Sequence, residues 1–126
     1  MSGTSKRIAR AMERVVNLAD GEVVVQEGEP GHEMFVIQSG AIEVYRSRNG
    51  SSVVLSRLER GSFFGEMSVL ESLPRDASAR AIGPTTLLAM GRGALLLRLR
   101  QDPSFALEML HALSSRIRVL NERLDG

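Results

Sequence analysis

The chain has 126 residues, with 16 basic and 15 acidic side chains, a formal net charge of +1 and no cysteine. This length fits one domain with a real core, and the balanced charge provides no overall basic field that would favour nucleic acid. The lack of cysteine excludes disulfides, thiolate metal sites and a cysteine nucleophile, and no apolar run reaches the roughly 18 residues of a membrane span. We therefore expect a cytoplasmic domain.

The first segment with a clear period is SKRIARAMERVVNL, residues 5–18. Its apolar residues recur at the 3.6-residue spacing of an amphipathic helix, and its arginines fall on another side. We predict an N-terminal helical segment over residues 1–20, followed by a separate unit over residues 21–126.

The pattern after residue 20 changes to short apolar runs separated by turn residues, which is typical of β-strands. Asn49-Gly50 is a strong hairpin signal, because both residues tolerate the positive φ of a type I′ turn. Many short strands at this spacing predict a barrel, sandwich or jelly roll. The runs are EVVVQ, EMFVIQ, AIEVYRS, SVVLSRL, SFF, ASARAI and TTLLAM.

The helical period returns near the C-terminus, where Asp102 can cap a helix and Pro103 suits its first turn. The predicted helix, residues 103–124, carries an apolar seam at alternating spacings of four and three residues, as in a heptad repeat. Two interpretations remain open: the seam pairs with a second copy to form a homodimer, or it packs on the roll of its own subunit. The seam comprises Ala106, Leu110, Leu113, Ile117, Leu120 and Leu124.

The stretch FFGEMSVLESLPRDASARA, residues 63–81, interrupts the strands with a glycine, a short helical turn and an arginine. A hairpin connects its two strands through about two to five residues, so it does not need this glycine, helical turn and arginine. The N–H groups that begin a helix attract anions, Gly65 lets a ligand approach the backbone, and Arg75 presents paired donors to phosphate oxygens. Glu66 suits hydroxyl donors such as those of a ribose. These features predict a site for a phosphate attached to a sugar; the alternative is that Glu66 and Arg75 simply pair across the loop.

The sequence FGEMSVLESLPRDASARA closely resembles the phosphate-binding cassette of cyclic nucleotide-binding domains, such as those of the cAMP receptor protein and protein kinase A regulatory subunits. The segment VVVQEGEPGHEMFVIQSGAIEVY resembles the early strands of that family, so the resemblance covers roughly residues 20–124. It implies a mainly β fold with flanking helices: an eight-stranded β-roll (double-stranded jelly roll), an N-terminal helix, a short cassette helix and a C-terminal lid helix. It also implies cAMP or cGMP as the regulatory ligand.

The resemblance assigns roles to individual residues of the cassette. Gly65 would admit the sugar-phosphate, Glu66 would bind the ribose 2′-hydroxyl, and Arg75 would neutralise the cyclic phosphate. The backbone amides of Met67 and Ser68 would face the phosphate, and Asp76 and Ala77 would supply further backbone contacts. Leu120 and Asn121 of the C-terminal helix would reach the purine. The implied ligand-binding residues are Phe64, Gly65, Glu66, Met67, Ser68, Arg75, Asp76, Ala77, Leu120 and Asn121.

Asp76 departs from the family pattern, which usually has Ala, Ser or Thr after the arginine. A carboxylate within a few ångströms of a phosphate would cost about a kcal/mol or more at an effective dielectric of about 20. The side chain therefore points away, pairs with Arg75 when no ligand is present, or accepts hydrogen bonds from guanine. These alternatives leave the choice between cAMP, cGMP and no ligand open.

Three functions compete on this sequence. The preferred one is a regulatory module that binds cAMP or cGMP and converts occupancy into movement of its C-terminal helix, acting on an effector that the sequence does not identify. A DNA-binding regulator of the cAMP-receptor type would need a helix-turn-helix that residues 1–126 lack, or a role for the weakly basic segment 5–18, so nucleic acid is a less favoured partner. A ligand-free dimerisation or docking module is the third.

We find no catalytic constellation, and His32 and His111 are too far apart in sequence to build a metal site, so we predict neither an enzyme nor a metalloprotein.

Overall fold

The computed structural model describes residues 12–125, in which antiparallel strands form one sheet flanked by helices. The strands are β1 (Arg14–Leu18), β2 (Val23–Val25), β3 (Glu33–Arg48), β4 (Ser51–Glu59), β5 (Phe63–Phe64) and β6 (Ser78–Gly91). The helices are α1 (Glu66–Leu70), α2 (Arg92–Gln101) and α3 (Pro103–Asp125). β3 and β6 pair with each other at the centre of the sheet; β1 and β2 pair with β6, and β4 and β5 pair with β3.

The two central strands are each interrupted by a glycine with positive φ, Gly40 at 85° in β3 and Gly83 at 71° in β6. The β3–β6 register shifts on either side of Ser39, and a Cβ atom at Gly40 would lie 2.5 Å from the carbonyl oxygen of Pro84. The glycines let the two strands bend at the same level, so that the sheet folds onto itself as a jelly roll. The predicted breaks between the runs EMFVIQ and AIEVYRS and between ASARAI and TTLLAM are therefore bends within the continuous strands β3 and β6. The described residues form six strands rather than the predicted eight.

Two local predictions are confirmed in detail. The hairpin between β3 and β4 turns at Asn49 and Gly50, whose φ angles are 54° and 80°. Asp102 caps α3, because its Oδ1 atom accepts hydrogen bonds from the Ser104 hydroxyl at 2.6 Å and the Phe105 N–H at 3.2 Å. These hydrogen bonds lower the pKa of Asp102.

The predicted N-terminal helix is wrong at its C-terminal end. Residues 14–18 form strand β1, paired with β6 from Arg14 opposite Ala89 to Leu18 opposite Thr85. Val16 and Leu18 alternate inward against the core, so the segment follows a two-residue period that ladder pairing with β6 satisfies. The first part of the predicted helix, residues 5–11, lies outside the described residues, and the boundary proposed at residue 20 cuts off a strand of the sheet.

The core has two parts, one inside the roll and one between the roll and the helices. The helix-side part joins Met34 of β3 and Met90 of β6 to α2 and α3. Helix α2 was not predicted, because the apolar residues of RGALLLRLRQ are spread around the helix without a clear face. The helix-side part of the core comprises Met34, Phe63, Val69, Met90, Ala94, Leu95 and Met109.

Within residues 12–125, no helix has the length and apolar content that crossing a membrane would require.

Candidate functional site

A cavity of about 460 Å³ lies between the roll, α1 and the C-terminal half of α3. This volume is within the range that small ligands occupy. The cavity brings together every predicted site residue except Asn121, which lies outside its lining. The apolar part of the wall consists of Val25, Val44, Leu55, Leu58, Phe64, Met67, Ala77, Ala79, Val119 and Leu120.

Arg75 is a buried cation in the wall of this cavity, with 8% of its surface exposed. Its Nη1 atom donates to the carbonyl oxygens of Glu33 at 2.8 Å and Gly65 at 3.4 Å. Burial lowers the pKa of Arg75, and three nearby carboxylates oppose that effect, so the guanidinium keeps its charge at neutral pH. Among residues 12–125, its Nε and Nη2 atoms have no hydrogen-bond acceptor, and neither is sealed from solvent. Two donor-bearing nitrogens thus remain available to an anionic ligand.

Glu66 pairs with a residue that the sequence analysis missed. Arg116 of α3 places Nη1 2.6 Å from Oε1 of Glu66, and its Nη2 donates to the carbonyl oxygen of Phe63. The guanidinium also lies 4.5 Å from the centre of the Phe63 ring, a cation–π contact. Glu66 therefore does not pair with Arg75. Its second oxygen, Oε2, has no partner within the described part of the chain, so the carboxylate retains the capacity to accept from a hydroxyl.

The backbone at the start of α1 is shaped by Gly65, which has φ 82° and provides no side-chain cap. Met67 and Ser68 both line the cavity. The Ser68 hydroxyl is already used, since it donates to the carbonyl oxygen of Leu73 at 2.9 Å, and the Ser68 N–H makes a long contact of 3.3 Å with the Gly65 carbonyl. The expected amide contacts with a phosphate remain a prediction.

Asp76 lines the cavity, but its carboxylate faces Arg46 on β3. The Arg46 Nε atom donates to the Asp76 carbonyl oxygen at 2.7 Å, and Nη2 lies 3.7 Å from Oδ2. The Asp76 side chain is 60% exposed. Of the three interpretations of this residue, the geometry favours a side chain that points away from Arg75.

Helix α3 contributes more of the lining than was predicted. Leu120 lies at the cavity as expected, and Arg116, Val119 and Arg123 join it from positions three or four residues apart. This spacing places them on one helical face, and that face is the signal that would have identified Arg116 from the position of Leu120. Ser115 completes the contribution of α3.

The described residues hold no group of three or more His, Asp or Glu side chains placed to bind a metal ion. The cavity thus combines the buried guanidinium of Arg75, the largely buried carboxylate of Glu66 and an apolar wall.

Comparison with known proteins gives a consistent result. Residues 15–102 match the family described as "Cyclic nucleotide-binding domain". The chain is 38% identical over 88 residues to a cAMP-dependent protein kinase regulatory subunit from Mucor circinelloides f. lusitanicus, an alignment that covers 70% of this chain and 20% of that protein. It is 31% identical over 110 residues to a CRP-like cAMP-activated global transcriptional regulator from Mycobacterium tuberculosis, covering 86% of this chain and 49% of that protein.

The crystal structure of the Thermus thermophilus catabolite activator protein superposes on this fold with a TM-score of 0.82 and 29% sequence identity. The superposition covers 97% of this chain and 58% of that one. The chain thus spans half or less of the length of the two curated relatives. With its jelly roll, its cassette and its match over residues 15–102, the chain belongs to the cyclic nucleotide-binding domain family.

Proposed function

We propose that the chain is a regulatory module that binds cAMP or cGMP in the 460 Å³ cavity and transmits occupancy through α3. The observation that carries this proposal is the placement of Glu66 and Arg75 on one cavity whose wall is completed by strands of the roll and by α3. A buried cation and a carboxylate with a free oxygen match the two polar halves of a cyclic nucleotide, its phosphate and its ribose. The module has no catalytic role in this proposal.

Arg75 would hold the phosphate. A planar guanidinium with two nitrogens available suits two phosphate oxygens, and its burial means that little water competes for those donors. The cost of burying the cation without a paired carboxylate is consistent with a site that an anionic ligand completes.

Glu66 would hold the ribose hydroxyl through the oxygen that Arg116 leaves free. One carboxylate then contacts the ligand and α3 at the same time. The ligand and the docked position of α3 would stabilise each other, because each fixes the same side chain. This shared contact is the physical basis that we propose for regulation, since a ligand shifts a conformational equilibrium only by binding one state more tightly.

The apolar wall would receive the base. Leu55 of β4 and Leu120 of α3 lie there, and the exposed Asp76 carboxylate provides no strong preference between adenine and guanine. We propose cAMP as the first ligand to test, because both curated relatives are named for cAMP.

Calorimetric titration of the parent chain with cAMP, cGMP, a cyclic dinucleotide and 5′-AMP tests the proposal. We expect saturable binding of cAMP or cGMP at one site per chain, and much weaker binding of 5′-AMP, whose doubly charged open phosphate does not match one guanidinium flanked by backbone carbonyls. The absence of binding by both cyclic mononucleotides would contradict the proposal and favour the docking module.

We also propose that α3 pairs with a second copy of the chain. Ile117 and Leu124, two members of the predicted seam, are 59% and 84% exposed, whereas Leu113 packs against the helix-side core. The C-terminal half of the seam thus remains available to a partner. Its heptad spacing favours α3 of a second copy of the chain as that partner, which would form a homodimer.

A further inference from the structure

The loop between β2 and β3 holds Arg75 by its backbone on both sides. The Gly28 N–H donates to the Arg75 carbonyl oxygen at 2.8 Å, and the Arg75 N–H donates to the carbonyl oxygen of Glu29 at 2.9 Å. The end of the same loop leads into Glu33, whose carbonyl oxygen accepts from Nη1 of Arg75 at 2.8 Å. One loop therefore fixes both the main chain and the side chain of the cation.

Gly31, within this loop, lies directly against the guanidinium. A Cβ atom at this position would overlap Nε and Cζ of Arg75 and would lie 2.6 Å from Nη2. On the other side, a Cβ atom at Gly65 would lie 2.7 Å from Nη1. The guanidinium is thus enclosed between two glycines, with the Phe35 ring centre 5.6 Å from Cζ.

Gly31 and Gly65 differ in what they require of the backbone. Gly65 has positive φ, which favours glycine whatever the surrounding space. Gly31 does not, so an alanine is acceptable to the backbone there and conflicts only with Arg75. Glycine is therefore needed at position 31 because the guanidinium of Arg75 occupies the space that a side chain would fill.

Arg75 has little freedom to move away from an added methyl group. It is buried, and any shift lengthens the two hydrogen bonds that Nη1 makes to backbone carbonyls. The atoms that border Gly31 are Nε and Nη2, the same two nitrogens that have no protein acceptor in the described residues. A methyl group at position 31 would therefore displace the donors that face a ligand.

We propose that Gly31 is a positioning residue for anion recognition by Arg75. This inference rests on the proposed function for its ligand, but the packing that it describes exists without one. A displacement of about an ångström in a binding group is enough to lose one to two orders of magnitude in function.

The ligand-binding test compares Gly31→Ala with Gly91→Ala. Gly91 is a suitable control, because its φ is not positive and a Cβ atom there would make only an ordinary contact, 3.6 Å from the His32 carbonyl oxygen. In calorimetric titration with cAMP, we expect Gly31→Ala to weaken binding about ten-fold or more and Gly91→Ala to leave it within about two-fold. Equal affinities of the parent and Gly31→Ala would overturn the proposal.

A double-mutant cycle separates this inference from the proposed function. It measures the Tm of the ligand-free parent, of Gly31→Ala, of Arg75→Ala and of the double variant. We expect Gly31→Ala to lower Tm in the parent but to cause no further loss in an Arg75→Ala background, where the space is vacated. If Gly31→Ala alone fails to fold, the double variant should recover the fold. Equal losses in both backgrounds, or a double variant that also fails to fold, would overturn the inference. If the parent binds neither cAMP nor cGMP while the coupling persists, the proposed function fails and the positioning of Arg75 by Gly31 stands.

Discussion

Arg116 of α3 and Glu66 of α1 form an ion pair with 2.6 Å between Nη1 and Oε1. The Glu66 side chain is only 12% exposed, so the carboxylate is largely removed from water and depends on this partner. The pair connects the helix that closes the cavity to the first residue of the helix that borders the proposed phosphate site. If a ligand binds Glu66 as we propose, occupancy of the cavity and docking of α3 involve the same carboxylate.

Replacing Arg116 by glutamine tests this connection. Glutamine keeps a hydrogen-bond donor but loses the charge, so we expect cAMP affinity to fall roughly three- to ten-fold as the docked position of α3 loses support. Amide hydrogen exchange in the C-terminal half of α3 should become faster in the same variant. Arg118→Gln is the matched control, because Arg118 lies on the same helix, does not line the cavity, and within residues 12–125 its guanidinium donates to the Ser115 hydroxyl at 3.1 Å and to no carboxylate. Unchanged cAMP affinity and unchanged amide exchange in Arg116→Gln would show that the Glu66–Arg116 ion pair does not couple ligand binding to the docking of α3.

Asp76 is predicted to have little influence on the ligand. Its carboxylate is exposed and lies 3.7 Å from Arg46, so water and that cation screen it from a phosphate bound at Arg75. We expect Asp76→Ala to tighten cAMP and cGMP by the same small factor, about three-fold or less. Titration of both nucleotides into the parent and the variant measures this. A selective loss of cGMP would show instead that Asp76 contacts guanine.

Ile117 tests the proposed dimer without touching the cavity. It is exposed and belongs to the seam, but it does not line the cavity, whereas Leu120 does both. A glutamate at position 117 would bury an unpaired charge in a paired seam, at a cost of several kcal/mol. We therefore expect Ile117→Glu to be a folded monomer with weakened cAMP binding.

Sedimentation velocity with and without saturating cAMP measures the state of the parent and of Ile117→Glu. Ser114→Glu, on an exposed position of α3 outside the seam, is the control and should behave as the parent does. A parent chain that stays monomeric at all concentrations would contradict the dimer and leave the exposed seam to another role.

The cassette was predictable because its chemistry is local. Gly65, Glu66 and Arg75 lie within one short stretch, and their residue types alone specify a turn, an acceptor and a donor set. Arg116 was missed for the opposite reason: it is 50 residues from Glu66 in sequence, and only the docking of α3 brings the two together. Gly31 was missed likewise, since a glycine without positive φ has no local signal and its significance depends on a contact with Arg75.

The errors in the fold also have physical causes. The period of residues 5–18 favours a helix, but Arg14–Leu18 gains a complete ladder with β6, and tertiary pairing outweighs local propensity in so short a segment. Glycines that ordinarily end strands instead bend β3 and β6, because each bend packs against the other. Residues 12–125 therefore contain six strands instead of the predicted eight, whereas the class of fold was predicted correctly.

Arg75→Lys provides the most direct test of the account, measured by calorimetric titration with cAMP and cGMP. Lysine keeps the charge but loses the planar pair of donors, so we expect affinity to fall by about 1.5–3 kcal/mol, and Glu66→Gln, which keeps an acceptor oxygen, to cost less. Arg57→Lys, the same substitution on the exposed face of β4 outside the cavity, should bind as the parent does. Affinity that is unchanged in Arg75→Lys, and unchanged also in Arg75→Ala, would contradict the assignment of this cavity as a cyclic nucleotide site.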